Sequence, residues 1–317
     1  MIAGFLMRRL AGLAATLVAA SFLVFGAVYL APGRPETFLL GGRAANPEAL
    51  AAIRAQYHLD DPFLIQYGTW LGRMVAGDLG QSVQYRSPVL GLIEARLPST
   101  LLLIAMAAVL VVVVGVGLGW VSAVRGGGAD SAILVATTVA LGTPSFVAAI
   151  VLLWLFSVRL GWFPTIGSGH GLGDMIYHLV LPSVALSLYW IGVLTRVTRT
   201  SMLDQLGREH VEVARSRGIP ERTVILRHVL RNALGPITTM SGLTISGLVI
   251  STVLVESAFG LGGLGELLAR SVSVKDFPVV QAVCLLIVAL FALINLVVDL
   301  LYPLIDPRVG LSTGSSR

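Results

Sequence analysis

Six stretches of this chain, about 10–31, 98–124, 131–158, 178–198, 236–256 and 278–301, stay apolar over a length that crosses a bilayer, which takes roughly 20 residues of helix. Nothing else in the sequence restricts the fold so severely. Hydrocarbon offers backbone N–H and C=O groups no partner, so a spanning segment must satisfy itself as a helix or join a closed barrel. These runs are too long and too evenly apolar for the alternating strands of a barrel. The expected fold is therefore all-α, a polytopic membrane helical bundle of six transmembrane helices. With 56% of its 317 residues hydrophobic and 12% charged, the chain has more apolar surface than a soluble core could hide.

Six crossings put both ends on one side, and arginine decides which. Arg8 and Arg9 precede the first run, Arg125 lies between the second and third, and seven arginines fall between 199 and 231. The opposite connections, 159–177 and 257–277, carry only Arg159, Arg270 and Lys275. Both termini are therefore expected in the cytoplasm. The net charge of +5 follows from this membrane topology, because the arginines are spread over flanking loops rather than gathered in a basic domain that would bind nucleic acid. The first run follows two arginines, as a secretory signal does. It continues from Leu10 to Ala31, beyond the roughly 7–15 apolar residues of a signal, so an uncleaved first helix is expected. The single cysteine, Cys284, lies in an apolar run and allows no intramolecular disulfide.

The segment 32–97 has six acidic residues and six arginines. It reads as two short helices, one over 47–54 behind Asn46 and one over 62–71 beginning at Pro62. Pro98, Pro236 and Pro278 are expected in the first turns of spans two, five and six, where a missing N–H costs nothing. Pro144 and Pro182 fall inside spans three and four and should kink them. Gly115 and Gly119 form a small-residue pair in span two that allows close helix approach.

Between spans four and five lies a polar cassette. Leu203, Leu206, Val213 and Ala214 line one side of a helix ending at Gly218, a residue suited to the left-handed position after a helix. Pro220 opens a second helix in which Leu226, Val229, Leu230 and Ala233 recur at helical spacing, with Arg227 and Arg231 on another face. The Glu212-x-Ala214-x-x-x-Gly218 spacing, with Arg215 inside it and His228, Arg231, Asn232 and Ala233 downstream, resembles the coupling loop of ATP-binding-cassette importer permeases. Further runs in matching order support the resemblance: Gly77-Asp78-Leu79-Gly80-Gln81-Ser82, Arg96-Leu97-Pro98-Ser99-Thr100, Gly161-Trp162-Phe163-Pro164, and Val255-Glu256-Ser257-Ala258-Phe259 followed by Gly262-Gly263-Leu264-Gly265. The chain is similar, over nearly its whole length, to the permease subunits of dipeptide, oligopeptide and nickel importers. It departs from their pattern at Val213, where alanine is usual, and at Leu234-Gly235 before Pro236.

That resemblance implies a type I importer permease fold in a bacterial cytoplasmic (inner) membrane. It implies a second homologous permease, two cytoplasmic ATPase subunits that carry ATP and Mg, and an extracytoplasmic substrate-binding protein, all surrounded by membrane lipid. The organisation expected is a first helix over 1–31, an extracytoplasmic helical region over 32–97, a permease core over 98–306 with its cytoplasmic coupling loop at about 199–235, and a tail over 307–317. Glu212, Ala214, Arg215, Gly218, His228, Arg231 and Asn232 are the residues the resemblance assigns to ATPase coupling. Di- or oligopeptides are the expected cargo, with nickel or glutathione as alternatives within the family.

No catalytic residue, cofactor or metal site is expected on this chain. A phosphate loop needs lysine after its glycines, and the only lysine, Lys275, stands between Val274 and Asp276. The five histidines show no paired ligand spacing. Gly260-x-Gly262-x-x-Gly265 matches a dinucleotide fingerprint in letters alone, since it follows a membrane span and lacks a βαβ frame. These glycines should instead turn the chain into a short helix over 264–270. Ser168 and His170 sit in a loop, two positions apart, which does not make a protease. Three residues near membrane depth are candidates for the translocation path or for helix interfaces: Glu256, expected to snorkel or pair at the outer end of span five, and Asn295 and Asp299, one turn apart in span six and suited to helix pairing. A self-contained ion-coupled carrier is the rival reading. Paired broken helices and inverted repeats would mark it, and neither is visible in the sequence.

Overall fold

The computed structural model describes residues 2–30, 48 and 60–305, so the helix expected over 47–54 and the tail lie outside the described residues. The described chain is helical, with one isolated bridge between Gln81 and Pro88. In order its helices are α1 (Ile2–Leu30), α2 (Phe63–Val75), α3 (Val89–Arg125), α4 (Gly127–Gly142) and α5 (Ser145–Leu152), the last continued by π-helical turns over Leu153–Arg159. There follow α6 (Leu172–Leu206), α7 (Glu209–Ser216) and α8 (Glu221–Thr223), continued by π-helical turns over Val224–Leu230. α9 (Arg231–Phe259), α10 (Leu264–Val274) and α11 (Phe277–Ile305) complete the series. Among the described residues, five helices are long and apolar enough to span a bilayer. The expected third span is instead two helical pieces, Gly127–Gly142 and Ser145–Arg159, bent by 104° at Pro144.

The described residues fall into two compact units, one drawn from 1–100 and 260–293 and one from 101–259 and 294–317. In the first, α2 begins directly after Pro62, whose carbonyl accepts from the N–H groups of Ile65 and Gln66. Phe63, Tyr67 and Trp70 recur on one face of α2 and meet Phe22 and Phe25 of α1, with ring centroids 5.2–5.7 Å apart across the two helices. The hydroxyls of Ser21 and Tyr67 share a 2.8 Å hydrogen bond, giving the polar end of Tyr67 a partner. A second core gathers Val89 and Ile93 from α3, Leu264 and Leu267 from α10, and Val279, Ala282 and Val283 from α11.

That core corrects one expectation. Pro98 is interior to α3 rather than in its first turn, because the helix begins at Val89 and packs Val89, Ile93 and Leu97 at intervals of four against the core. Burial of this face extends the helix upstream of its proline. Pro236 is likewise interior to α9, which runs on from the preceding π-helical turns, whereas Pro278 is in the first turn of α11 as expected. α10 confirms the short helix after the glycines and runs on to Val274.

In the second unit α6 is the helix around which others pack. A Cβ at Gly119 of α3 would stand 2.5 Å from Cβ of Thr198 and 2.7 Å from the Thr195 carbonyl oxygen, and one at Gly115 would stand 3.0 Å from Cβ of Leu194. The glycine pair therefore does what its spacing predicts. Gly192 gives α4 the same access, since its Cβ would stand 2.9 Å from Leu141 and 3.1 Å from the Thr137 carbonyl oxygen. At one end of α6, Arg199 forks onto Asp130 with bonds of 2.7 and 2.6 Å, and Ser122 donates to the same carboxylate. One bidentate pair thus joins the start of α4 to α6 and, through Ser122, to α3.

Candidate functional site

The polar cassette folds as a hook. α6 stops at Leu206, Gly207 caps it, and Arg208 in extended conformation (φ −87°, ψ 144°) starts the chain into α7. α7 ends at Ser216. Beyond it Gly218 adopts φ +76°, its N–H donates to the Arg215 carbonyl at 2.9 Å, and the Ile219 N–H reaches back to the Ala214 carbonyl at 3.3 Å. This pair of bonds is the Schellman arrangement, which occupies the last carbonyls of a helix and requires the left-handed residue that glycine supplies most readily. Pro220 then sets the N-terminus of α8. From Glu221 the chain continues without interruption to Phe259, a helix of 39 residues.

Two details differ from the expected pattern. The expected single helix from Leu203 to Gly218 is broken at Gly207, and α7 buries Val211 and Ala214 while Val213 and Leu203 are exposed. After Pro220 the turns are π-helical, so inward positions fall five apart: Val224 and Val229 are fully buried, and Leu226 is turned out. The wider i→i+5 turn shifts the register away from the spacing of an α-helix. Ala233 and Ile237 resume the usual interval of four on the buried side. Burial of each such valine contributes about 1.5–3 kcal/mol relative to exposure, which fastens the hook to the helix that follows it.

The outer face of the hook is polar. Arg215 forks onto Glu221 across the glycine turn, with bonds of 3.1 and 2.6 Å, and closes the hook externally. That hydrogen-bonded carboxylate pushes the Arg215 guanidinium above its ordinary value, so the arginine is cationic at any physiological pH. Asn232 donates to the His228 carbonyl at 2.6 Å, and the His210 ring nitrogen Nε2 lies 3.3 Å from the same oxygen. Gln205, Arg208, His210 and Asn232 line an open cleft of about 490 Å³ beside α7.

Of the residues assigned by resemblance, Glu212, Arg215, Arg231 and Asn232 are exposed on the hook, Gly218 forms its turn, and His228 contributes its backbone carbonyl. Ala214 is 5% exposed and packs inward, so its small size serves the hook's own fit. Sequence reading missed Glu221, Arg208, His210 and Gln205. The signal for Glu221 was available: an acid in the first turn after Pro220, opposite an arginine in the last turn before Gly218.

A family description of binding-protein-dependent transport system inner membrane components matches residues 115–311, and one for the N-terminal part of such membrane components matches residues 1–104. The chain belongs to this family. It is an importer permease subunit, and its relatives match it end to end. A putative peptide permease protein of Brucella ovis is 37% identical over 310 residues, covering 95% of this chain and 97% of that protein. The glutathione transport system permease protein GsiC of Salmonella choleraesuis is also 37% identical, over 306 residues, covering 96% and 98%. In fold the permease is similar to a chain of the MetNI methionine ABC transporter in an inward-facing conformation, with a TM-score of 0.54, 18% identity, and coverage of 68% of this chain and 97% of that one.

The remaining candidates of this permease lie away from the hook. Glu256 is fully buried in α9, which excludes the snorkelled side chain and leaves the paired one of the two arrangements expected for it. Asn295 is half-buried in α11, and the side chain of Asp299 lies outside the described residues. Close to both in sequence, Val298 of α11 packs onto Gly242 of α9.

Proposed function

We propose that this permease passes short peptides, of two residues to several, across the bacterial inner membrane, with both of its termini in the cytoplasm and the hook facing cytoplasmic ATPase subunits. Two such ATPases, carrying ATP and Mg, a second homologous permease and an extracytoplasmic binding protein complete the machine. The Arg residues concentrated between 199 and 231 support the orientation, and the peptide and glutathione permeases among its relatives support a small peptide as cargo. The observation that carries the proposal is continuity: the exposed face of α7 and α8 is fastened to a 39-residue helix, so a push on the hook moves a membrane-spanning element as one piece. Closure of the ATPases would thereby bias the permease between inward-open and outward-open states.

Gly218→Val tests this. A β-branched residue resists the left-handed conformation, so the hook should open while the spans stay inserted. The expected outcome is lost peptide uptake at near-normal membrane abundance, with less ATPase co-purifying or less transport per ATP hydrolysed. Glu212→Ala should lower the same quantities less. Wild-type uptake and ATPase association in Gly218→Val would remove the coupling role, and uptake driven by an ion gradient in vesicles containing only this chain would favour the carrier reading.

A further inference from the structure

The run Gly77 to Ser82 takes no part in the hook, yet it leads into one of the most tightly tied turns of the first unit. Ser82 donates its N–H to the Ser87 carbonyl at 2.9 Å, the Arg86 N–H returns to the Ser82 carbonyl at 3.1 Å, and the Tyr85 N–H donates to the Ser82 hydroxyl oxygen at 2.9 Å. Beneath the turn is Asp276, 1% exposed. Its carboxylate accepts from the Ser82 hydroxyl at 2.5 Å, the Gln84 N–H at 3.1 Å and the Val83 N–H at 3.3 Å. A buried carboxylate is costly unless its oxygens are occupied, and here three donors from a segment nearly 200 positions away in sequence occupy them. The aim of Asp276 follows from Lys275, which ends α10 in the left-handed region at φ +60°.

All of this bonding fixes a tip that is not itself buried. Gln84, Tyr85 and Arg86 are consecutive exposed residues, Arg86 is held at φ +51° despite having a side chain, and the Arg96 guanidinium lies 5.6 Å from the centre of the Tyr85 ring. Tyrosine and arginine are the side chains that most often concentrate binding energy at protein interfaces. A backbone already fixed in its bound shape loses little entropy on association. Arg86 in the tip and Arg96 beside the Tyr85 ring supply two guanidinium groups, for which carboxylates are the complementary partners.

We infer that the turn 82–87 is a docking surface for the extracytoplasmic substrate-binding protein, engaged through an acidic patch on that partner, and that Asp276 is the residue that positions it. This rests on the importer reading above, which puts the turn outside the cell. Its occupant is a protein because exposed Tyr85 and Arg86, side chains of the kind that anchor protein interfaces, stand on a turn whose backbone is already tied in place.

The test uses the reconstituted complex of both permeases and both ATPases, titrated with the binding protein encoded beside this chain, with ATP hydrolysis as the readout. In Arg86→Glu and in Tyr85→Ala the concentration of binding protein for half-maximal stimulation should rise about tenfold or more, while basal hydrolysis and the stimulated maximum stay as in wild type. Asp276→Asn should shift the same concentration although it leaves every tip side chain in place. Arg73→Glu, an equally exposed change on α2, should not. An unshifted concentration in both tip variants, or a fall in basal hydrolysis alongside the shift, would overturn the docking role. A wild-type complex that the binding protein does not stimulate would overturn the importer reading and this inference together.

Discussion

Pro144 and Pro182 stand inside two expected spans of the same unit, and only one of them breaks its helix. At Pro144 the two helical pieces meet at 104°, whereas Pro182 lies within the uninterrupted 35 residues of α6. The ring removes an N–H and crowds the preceding turn in both cases. What differs is the company. Before Pro144 stand Gly142 and Thr143, weak helix formers, and Thr143 takes an extended conformation (φ −97°, ψ 113°) that a residue before proline prefers. The Thr143 hydroxyl donates to the Val139 carbonyl at 2.8 Å, while the Pro144 carbonyl accepts from the N–H groups of Val147 and Ala148. Both new helix ends are thus supplied with partners, and the proline itself is exposed. Pro182, by contrast, is buried, preceded by Leu181 and flanked by buried Leu179, Ser183, Ala185 and Leu186. Neighbours press α6 from two sides through Gly119 and Gly192. A proline in a membrane helix therefore permits a break, and at these two sites the helix stays continuous where the proline is buried among packed neighbours.

If packing holds α6 together, removing a clamp should do more harm than removing either proline. Gly119→Leu forces a side chain into Thr198 and the Thr195 carbonyl, a conflict with backbone that cannot be relieved by one rotamer change. A loss on the order of 3 kcal/mol is expected, visible as reduced survival of the purified permease in a thermal melt, and a variant as stable as wild type would remove the clamp explanation. The next largest effect should come from Pro144→Ala. With the ring gone, spin labels at 131 and 158 should move toward the roughly 40 Å of a straight 28-residue helix, and uptake should fall because the bent pair no longer has its shape. An unchanged distance would mean that Gly142 and Thr143 suffice for the break. The smallest effect belongs to Pro182→Ala, which restores an N–H to a helix that is already continuous. Stability should change by less than about 1 kcal/mol with uptake retained, and a large loss of uptake would show that α6 uses its proline after all.

The same contrast explains how much was legible beforehand. Gly218 could be read as a left-handed turn because the requirement is local: a helix end, a glycine, then Ile219-Pro220. The glycines of span two could be read as a close contact because their spacing alone puts them on one face. For Glu256 the sequence left two arrangements open, snorkelled or paired, since whether a carboxylate near a helix end reaches the surface or turns inward depends on what stands beside it.

The sequence by itself determined that the chain is a helical membrane protein, about where its spans lie, and which polar cassette interrupts them. Those facts follow from the energetics of backbone groups in lipid and from side-chain spacing along one segment. Tertiary structure alone decided that Val89–Leu97 extends α3 upstream of Pro98, that the turns after Pro220 are π-helical with Val224 and Val229 inward, and that Asp276 ties down a turn nearly 200 residues earlier. Each of these depends on contacts between segments distant in sequence, where the stabilisation gained by burial or by pairing a charge outweighs the preference of the local residues.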